Sequence, residues 1–597
     1  MTRIIRLWGE IFELSWRRVP WLTLGAVTCL AGKIAATSGS ALALRYTVNA
    51  AAGGMVRTAI VGGAVAAVAY AILIVTQDTT DVLILNISDR VGRMDIHPEI
   101  HRGLATIEGL GHLEQPEFLD RVTLVRKAGG RVAAGMWNAS KSAVNVINLC
   151  LMLALLGSVN GVLVLLVAVA ALPLLFDSRG QRAIARANVE TADQYRLQQH
   201  LLDLSVSAGS GKELRVAGAG LAIADRQATA WRESMSRRFR AQVKAAAWTL
   251  LGWTIFVVAL GAGLVMAAYQ VGRGQGSAGD LVLLVTIVAT LRASVQSTVE
   301  SITAAAGSRQ FLVPYLWLAD YTAQARTSQL SDAEPPARLG DGIVLDGVSY
   351  TYPGTPRAAL SQTSLHLPAG SVIALVGEYG SGKTTLVKLL CKFYQPTTGR
   401  ILVDGVDLAD IKTEAWWARS TAAFQDYGRF HATFAENVGL GNLPDLLDDA
   451  RILDALSSAN ALDLIASLPD GLHSQLGRQL GGVDLSEGQW QRAALARSAM
   501  RSSPVLLVLD EPTASLDAPS ERAVYEHYMK RARDIGLKTG AVTIIVSHRF
   551  ATVTEADAIA VFEKGRLVEF GSHADLVSRD GLYNELYRIQ ADAYRVS

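Results

Sequence analysis

The run Gly377-Glu378-Tyr379-Gly380-Ser381-Gly382-Lys383-Thr384 sets glycines, a lysine and a hydroxyl at the spacing G-x-x-x-x-G-K-[ST]. Glycines let backbone N–H groups close around phosphate oxygens, and a helix that follows adds the positive end of its dipole. Lys383 then reaches the outer phosphates of a bound triphosphate, and Thr384 offers its hydroxyl to Mg²⁺. VIALV precedes the run and LVKLLCKF, apolar at helical period, follows it, so the loop joins a strand to a helix as this chemistry requires. A second apolar run, Val505-Leu506-Leu507-Val508-Leu509, ends in Asp510-Glu511. A carboxylate ending a strand beside a phosphate loop holds Mg²⁺ through its water shell, the role of Asp510. Glu511 is placed to orient or deprotonate an attacking water.

These residues occupy only the second half of 597. Half of the chain is apolar, 18% is charged, and mean hydropathy is +0.25, a balance that points to a membrane-embedded part beside a soluble one. The net charge of +2 gives no argument for a nucleic-acid partner. Cys29, Cys150 and Cys391 stand far apart, which supports neither a disulfide framework nor a zinc site, and each is expected to be a small buried residue.

About 20 apolar residues cross ~30 Å of hydrocarbon. Six segments qualify, near 21–46, 57–85, 132–157, 160–177, 245–270 and 280–306. The first is too long for a signal peptide and reads as a retained helix. Residues 157–161 form a tight hairpin between the third and fourth. Arg3, Arg6, Arg17 and Arg18 precede the first segment. Arg90, Arg93, Arg102, Arg121, Arg126, Lys127 and Arg131 follow the second, and a longer arginine series from Arg179 to Arg240 follows the fourth. The opposite loops hold only Arg45, Arg57 and Arg273, so both termini and both long loops are expected on the cytoplasmic side. Residues 179–204 keep a helical period, so the helices are expected to run on past the membrane and turn near 111–116 and 209–220. Lys33, Asn138, Lys141, Asn145, Asn148, Arg292, Gln296 and Glu300 are polar side chains within apolar segments, and either line a cavity or bond between helices. Past residue 318 a polar stretch with Pro335-Pro336 reads as a linker, and beyond it apolar strands alternate with helices.

Residues 485–517, LSEGQWQRAALARSAMRSSPVLLVLDEPTASLD, closely resemble the signature-to-Walker-B block of ABC ATPases. Tyr352-Pro353, the phosphate loop, Gln425 and His548 stand in that family's order. With six preceding segments the chain is similar to a type IV, exporter-type ABC half-transporter. The resemblance implies an α-helical membrane domain over 1–325, a linker over 326–341, and an α/β P-loop ATPase domain over 342–597. Coupling helices are implied near 116–122 and 217–224.

The resemblance also implies roles by position. Tyr352 stacks on adenine, with Tyr350 as its substitute, and the loop residues through Thr385 hold phosphate. Gln425 touches Mg²⁺ or the attacking water, and His548 contacts the γ-phosphate. Ser486, Gly488 and Gln489 face nucleotide held by a second subunit, with Asp517 at the dimer interface. Glu487 replaces the middle glycine of the usual LSGGQ. It sets a carboxylate near the triphosphate, but Ser486 and Gly488 are retained, so the site is expected to be active. ATP and Mg²⁺ are the implied cofactors and a homodimer the implied assembly, with a heterodimer of related half-transporters as the alternative. The implied function is ATP-driven export of a small molecule, peptide or lipid. An importer on the same scaffold and an ATP-gated channel or regulator share the motifs. Arginine greatly outnumbers lysine, a composition associated with GC-rich bacteria, so a multi-pass protein of the plasma (inner) membrane is expected, with the ATPase domain cytoplasmic.

Overall fold

The computed structural model describes residues 2–126, 128–159, 161, 165–273, 277–328, 332–512, 518–547 and 553–595. The chain divides into two compact units: Met1–Arg102 with Val122–Leu318, and Gly103–Arg121 with Ala319–Ser597.

The first unit is helical throughout. Its long helices are Pro20–Ala52, Val56–Val91, Gly129–Val159, Leu165–Glu190, Gly220–Gly272 and Ala278–Gly307. Five of the six apolar segments lie in these helices, and the fourth, at 160–177, does so from Leu165 on. Its start and the hairpin at 157–161 fall partly outside the described residues. Among the described helices, Pro20–Ala52, Val56–Ala105, Gly129–Ser158 and Gly220–Met266 are long and apolar enough to cross a membrane. Val61, Val65, Val68, Val257, Val258 and Val265 lie exposed on them, as apolar side chains do when the surrounding solvent is hydrocarbon. Gly220–Gly272 has 53 residues, about 80 Å at 1.5 Å each, and so outruns the hydrocarbon core. Helices close on one another where side chains are absent: a Cβ on Gly92 would lie 2.4 Å from the amide nitrogen of Gly130.

Two expectations need correction. The short helix of the second long loop is Ala208–Val216, not 217–224. Gly218 takes φ +63°, which ends that helix, and Gly220 already opens the next long one. In the first loop, by contrast, Pro116–Arg126 covers the expected 116–122. Cys391 is buried as expected, but Cys29 is half-buried and Cys150 is exposed. On a helix facing hydrocarbon, a small apolar side chain has no need of burial within the protein.

In the second unit the strands are β1 (Gly342–Tyr350), β2 (Leu360–Pro368), β3 (Val372–Val376), β4 (Thr398–Val403), β5 (Val406–Asp407), β6 (Ser420–Ala423), β7 (Leu506–Asp510), β8 (Val542–Val546), β9 (Ala558–Glu563) and β10 (Arg566–Gly571). One antiparallel sheet runs β2-β1-β4-β5, and a larger one runs β10-β9-β3-β8-β7-β6. The larger sheet is parallel except for its edge strand β10. All residues of β3, β7 and β8 are buried, which is why they read as unbroken apolar runs. The register places Val546 of β8 opposite both Leu375 of β3 and Asp510 of β7. The phosphate loop and the acidic pair thus leave the same edge of the sheet.

The stretch read as a linker is partly built into this unit. Ala333 exchanges backbone hydrogen bonds with Asp410 and Lys412, and the Asp404 carboxylate accepts from the N–H groups of Gly340, Asp341 and Gly342. Residues 103–121 also pack here. The Leu110 amide donates to the Phe393 carbonyl at 3.1 Å, and the Tyr394 hydroxyl donates to Glu114. Phe393 lies just past the helix Lys383–Leu390 that follows the phosphate loop, so this loop segment rests on the end of the site's own helix.

Trp416 is fully buried and its Nε1 donates to the Leu390 carbonyl at 2.9 Å, pinning the end of that same helix. Trp416→Ala is expected to destabilise the protein by about 3–5 kcal/mol. Thermal unfolding of the detergent-solubilised chain checks this; an unchanged melting temperature contradicts it.

Candidate nucleotide-binding site

Gly377, Gly380 and Gly382 take φ of +145°, +77° and +104°, which bends the chain between β3 and the helix Lys383–Leu390. A Cβ on Gly377 would lie 2.1 Å from the Phe562 carbonyl, and one on Gly382 would lie 2.6 Å from that of Ala359. Only glycine fits either place. Lys383 is 5% exposed and its Nζ donates to the carbonyls of Gly377 and Glu378, each at 2.8 Å, and to Ser381 Oγ at 3.3 Å. Burial lowers the Lys383 pKa from its ordinary value, and Glu511 and Asp510 work against that. Thr384 is exposed in the first helical turn, whereas Thr385 is buried. Tyr379 is 96% exposed at the loop tip.

Tyr352 is half-buried, its hydroxyl 3.2 Å from Thr385 Oγ1, with Lys388 Nζ 5.7 Å from its ring centroid. Tyr350 is buried beneath it, rings edge to face at 4.9 Å, so Tyr352 is the more accessible of the two.

Asp510 ends β7 at 3% exposure. Burial first, then Glu511 and Asp426, push its carboxyl up to about 6 against the pull of Lys383 and Lys388. Among the described residues no hydrogen bond or ion pair reaches this carboxylate. That is the electrostatic signature of a cation site, and it fits Mg²⁺, which takes one or two carboxylates and completes its shell with water and phosphate. No cluster of three or more His, Cys, Asp or Glu able to hold a metal occurs among the described residues.

Glu511 carries φ +49° on a non-glycine residue, a strain of roughly 1–3 kcal/mol that persists at functional positions. Its amide donates to the Val546 carbonyl at 3.0 Å, and its carboxylate accepts from Gln425 Nε2 at 2.8 Å. The structure therefore joins Gln425 to Glu511. His548 and Asp517 lie outside the described residues.

Ser486 caps the helix Glu487–Ala499 reciprocally with Gln489: the Ser486 amide donates to Gln489 Oε1 at 2.8 Å, and Ser486 Oγ accepts from the Gln489 amide at 3.4 Å. Gln489 is turned to its own helix cap. Trp490, 1% exposed, donates to Asp484 at 3.1 Å and fixes the turn's entry. Ser486 and Gly488 make no described bond to the Lys383 loop. Sequence reasoning missed Tyr427 and Arg429, which both hold the Glu487 carboxylate. The one signal was the carboxylate at 487 itself, an acid where the resembled motif has glycine.

The Asp510 carboxyl, raised above its unfolded value, makes a pH prediction. An acid whose folded pKa is raised costs stability once ionised: the cost is absent well below pH 4, grows as pH rises, and is complete above about pH 6. Asp510→Asn is therefore expected to stabilise the nucleotide-free, Mg²⁺-free protein by about 3 kcal/mol at pH 8, shrinking to about half by pH 5. Thermal unfolding at the two pH values checks it; no gain at pH 8, or an equal gain at both, contradicts it.

Comparison with known proteins agrees with the geometry. The family described as ABC transporter matches residues 360–514. The ATP-dependent lipid A-core flippase of Ralstonia nicotianae is 41% identical over 254 residues, covering 42% of this chain and 41% of that protein. The protein of the same name from Bordetella avium is 35% identical over 373 residues, 62% of this chain and 60% of that protein. The matches thus span about two to three fifths of these relatives. A bacterial Atm1-family ABC exporter with ATP bound superposes with a TM-score of 0.73 at 24% identity, covering 96% of this chain and 99% of that one. Residues 360–514 thus match the ABC transporter family, and the chain as a whole shares the fold of that exporter.

Proposed function

We propose that two copies of this chain form an ATP-driven exporter of an amphipathic lipid. In it the Lys383 loop of one copy and the Ser486 turn of the other close on the same nucleotide. The observation that carries this reading is the half-site: the glycine loop around Lys383, the cation-seeking Asp510, and the strained Glu511 tied to Gln425 stand at one sheet edge. The Ser486 turn, a second anion-binding helix start, is not joined to it by any described bond.

Lys383 and the loop amides hold the β- and γ-phosphates, and Tyr352 offers its ring to the base. Thr384, Asp510 and Gln425 are the groups to hold Mg²⁺, which supplies charge neutralisation at the phosphoryl oxygens. Glu511 orients the attacking water and takes its proton, and Gln425 keeps that carboxylate in place. His548 is assigned to the γ-phosphate. Because Gln425 lies on Glu511 and residues 103–121 rest on the end of the Lys383 helix, the state of the site can reach the membrane part mechanically.

The lipid assignment is supported by the relatives' function and by the first unit's interior. A cavity of about 300 Å³ there is lined by Lys33, Asp81, Lys141, Asn148, Gln296 and Glu300, among others. Lys141 pairs with Asp81, and Lys33 donates to Asn145 at 3.0 Å. Buried Asn145 donates in turn to Ser297 and Ser301, so it ties helices together, while Lys33 and Lys141 face the cavity. Such charges inside apolar helices mark a transport path. The distribution of arginines supports a cytoplasmic ATPase unit and cytoplasmic termini at the inner membrane.

In proteoliposomes, Lys383→Ala is expected to lower ATPase at least ~100-fold and abolish lipid translocation. Lys33→Met is expected to keep basal ATPase while losing its stimulation by lipid A. Full turnover by Lys383→Ala, or undiminished lipid stimulation of Lys33→Met, contradicts the corresponding half of the proposal.

A further inference from the structure

The helix Glu487–Ala499 begins with a carboxylate where the family motif has glycine, and the fold has built a receptor for it. The Tyr427 hydroxyl donates to Glu487 Oε1 at 2.7 Å and lies 3.1 Å from the Glu487 carbonyl. The Arg429 guanidinium donates to both carboxylate oxygens, at 2.6 Å to Oε1. Both partners follow Gln425 within four residues, so a single short loop grips Glu511 at one end and Glu487 at the other.

Stability does not explain the arrangement. The Arg429 and Glu487 side chains are 47% and 55% exposed, and exposed ion pairs contribute little to folding. What the pair changes is the field at the helix start. The first-turn N–H groups of this helix have no intrahelical acceptor and attract anions. An unscreened carboxylate one residue past Ser486 would compete for that same positive end and repel a triphosphate.

We propose that Arg429, assisted by Tyr427, is a positioning residue for nucleotide closure: it draws the Glu487 carboxylate aside and cancels its charge. The Ser486 turn can then receive the γ-phosphate held by a second copy. This rests on the two-copy site described above. Glu487 and Arg429 act as one neutral unit, so their effects on ATP affinity are strongly coupled.

The test is a four-way cycle on the full-length protein in nanodiscs: parent, Arg429→Leu, Glu487→Gly and the double variant, with ATPase measured against ATP and thermal unfolding in parallel. Arg429→Leu is expected to raise the KM for ATP about fivefold or more with little change in kcat, an effect that weakens at high salt. The double variant is expected to return to within about twofold of the parent. An unchanged KM in Arg429→Leu, or a defect that persists in the double variant, overturns the proposal. Should Arg429→Leu fail to fold, Arg429→Gln with and without Glu487→Gln reads the same coupling. Failure of the two-copy reading is separable: there no ATP-dependent cross-link joins the Lys383 loop of one copy to the Ser486 turn of another, whereas here that cross-link forms while the cycle shows no coupling.

Discussion

Charge held under one edge of a parallel sheet is the constraint on which the second unit depends. The register of β3, β8 and β7 brings the Lys383 loop and Asp510 to the two sides of Val546. Among the described residues Lys383 finds only carbonyls and a hydroxyl for its ammonium, and Asp510 finds no partner for its carboxylate. The surrounding strands are buried and mostly apolar, so little water reaches these groups from within. A polyphosphate carrying a divalent cation completes both at once. The strained Glu511 backbone and the three left-handed glycines are the local costs of holding those groups at the edge.

Much of this was legible in the sequence because the site is local. The glycine spacing, the apolar run ending in Asp510-Glu511, and the strand–loop–helix order are contiguous, and each physical requirement falls on a few adjacent residues. The long helices were legible for a different reason: hydrocarbon imposes a length and a composition that no soluble segment shares. Helix ends were less so. The short helix Ala208–Val216 lay eight or nine residues ahead of its expected place, because any of Gly209, Gly211, Gly218 and Gly220 could have broken the chain, and only Gly218 takes a left-handed φ.

What the sequence could not reveal were pairs far apart along the chain. Nothing local ties Arg429 to Glu487 or Gln425 to Glu511, although each pair is in hydrogen-bond contact. Asn145 was ambiguous for the same reason: a polar residue in an apolar helix faces either a cavity or a neighbouring helix. The structure assigns it to the neighbour, and Lys33 and Lys141 to the cavity. The polar stretch before β1 read as linker from composition, yet Asp404 gathers its last two amides and the first of β1 at once.

The account stands on two copies enclosing one nucleotide between the Lys383 loop and the Ser486 turn. Its most direct test is oxidative cross-linking of copies lacking Cys29, Cys150 and Cys391, one bearing Tyr379→Cys and the other Ser486→Cys, both in a Glu511→Gln background. With ATP present, a disulfide joining the two chains is the predicted product, and it should disappear when ATP is withheld. Absence of that inter-chain bond in ATP, with both thiols reactive and the protein folded, would contradict the central claim.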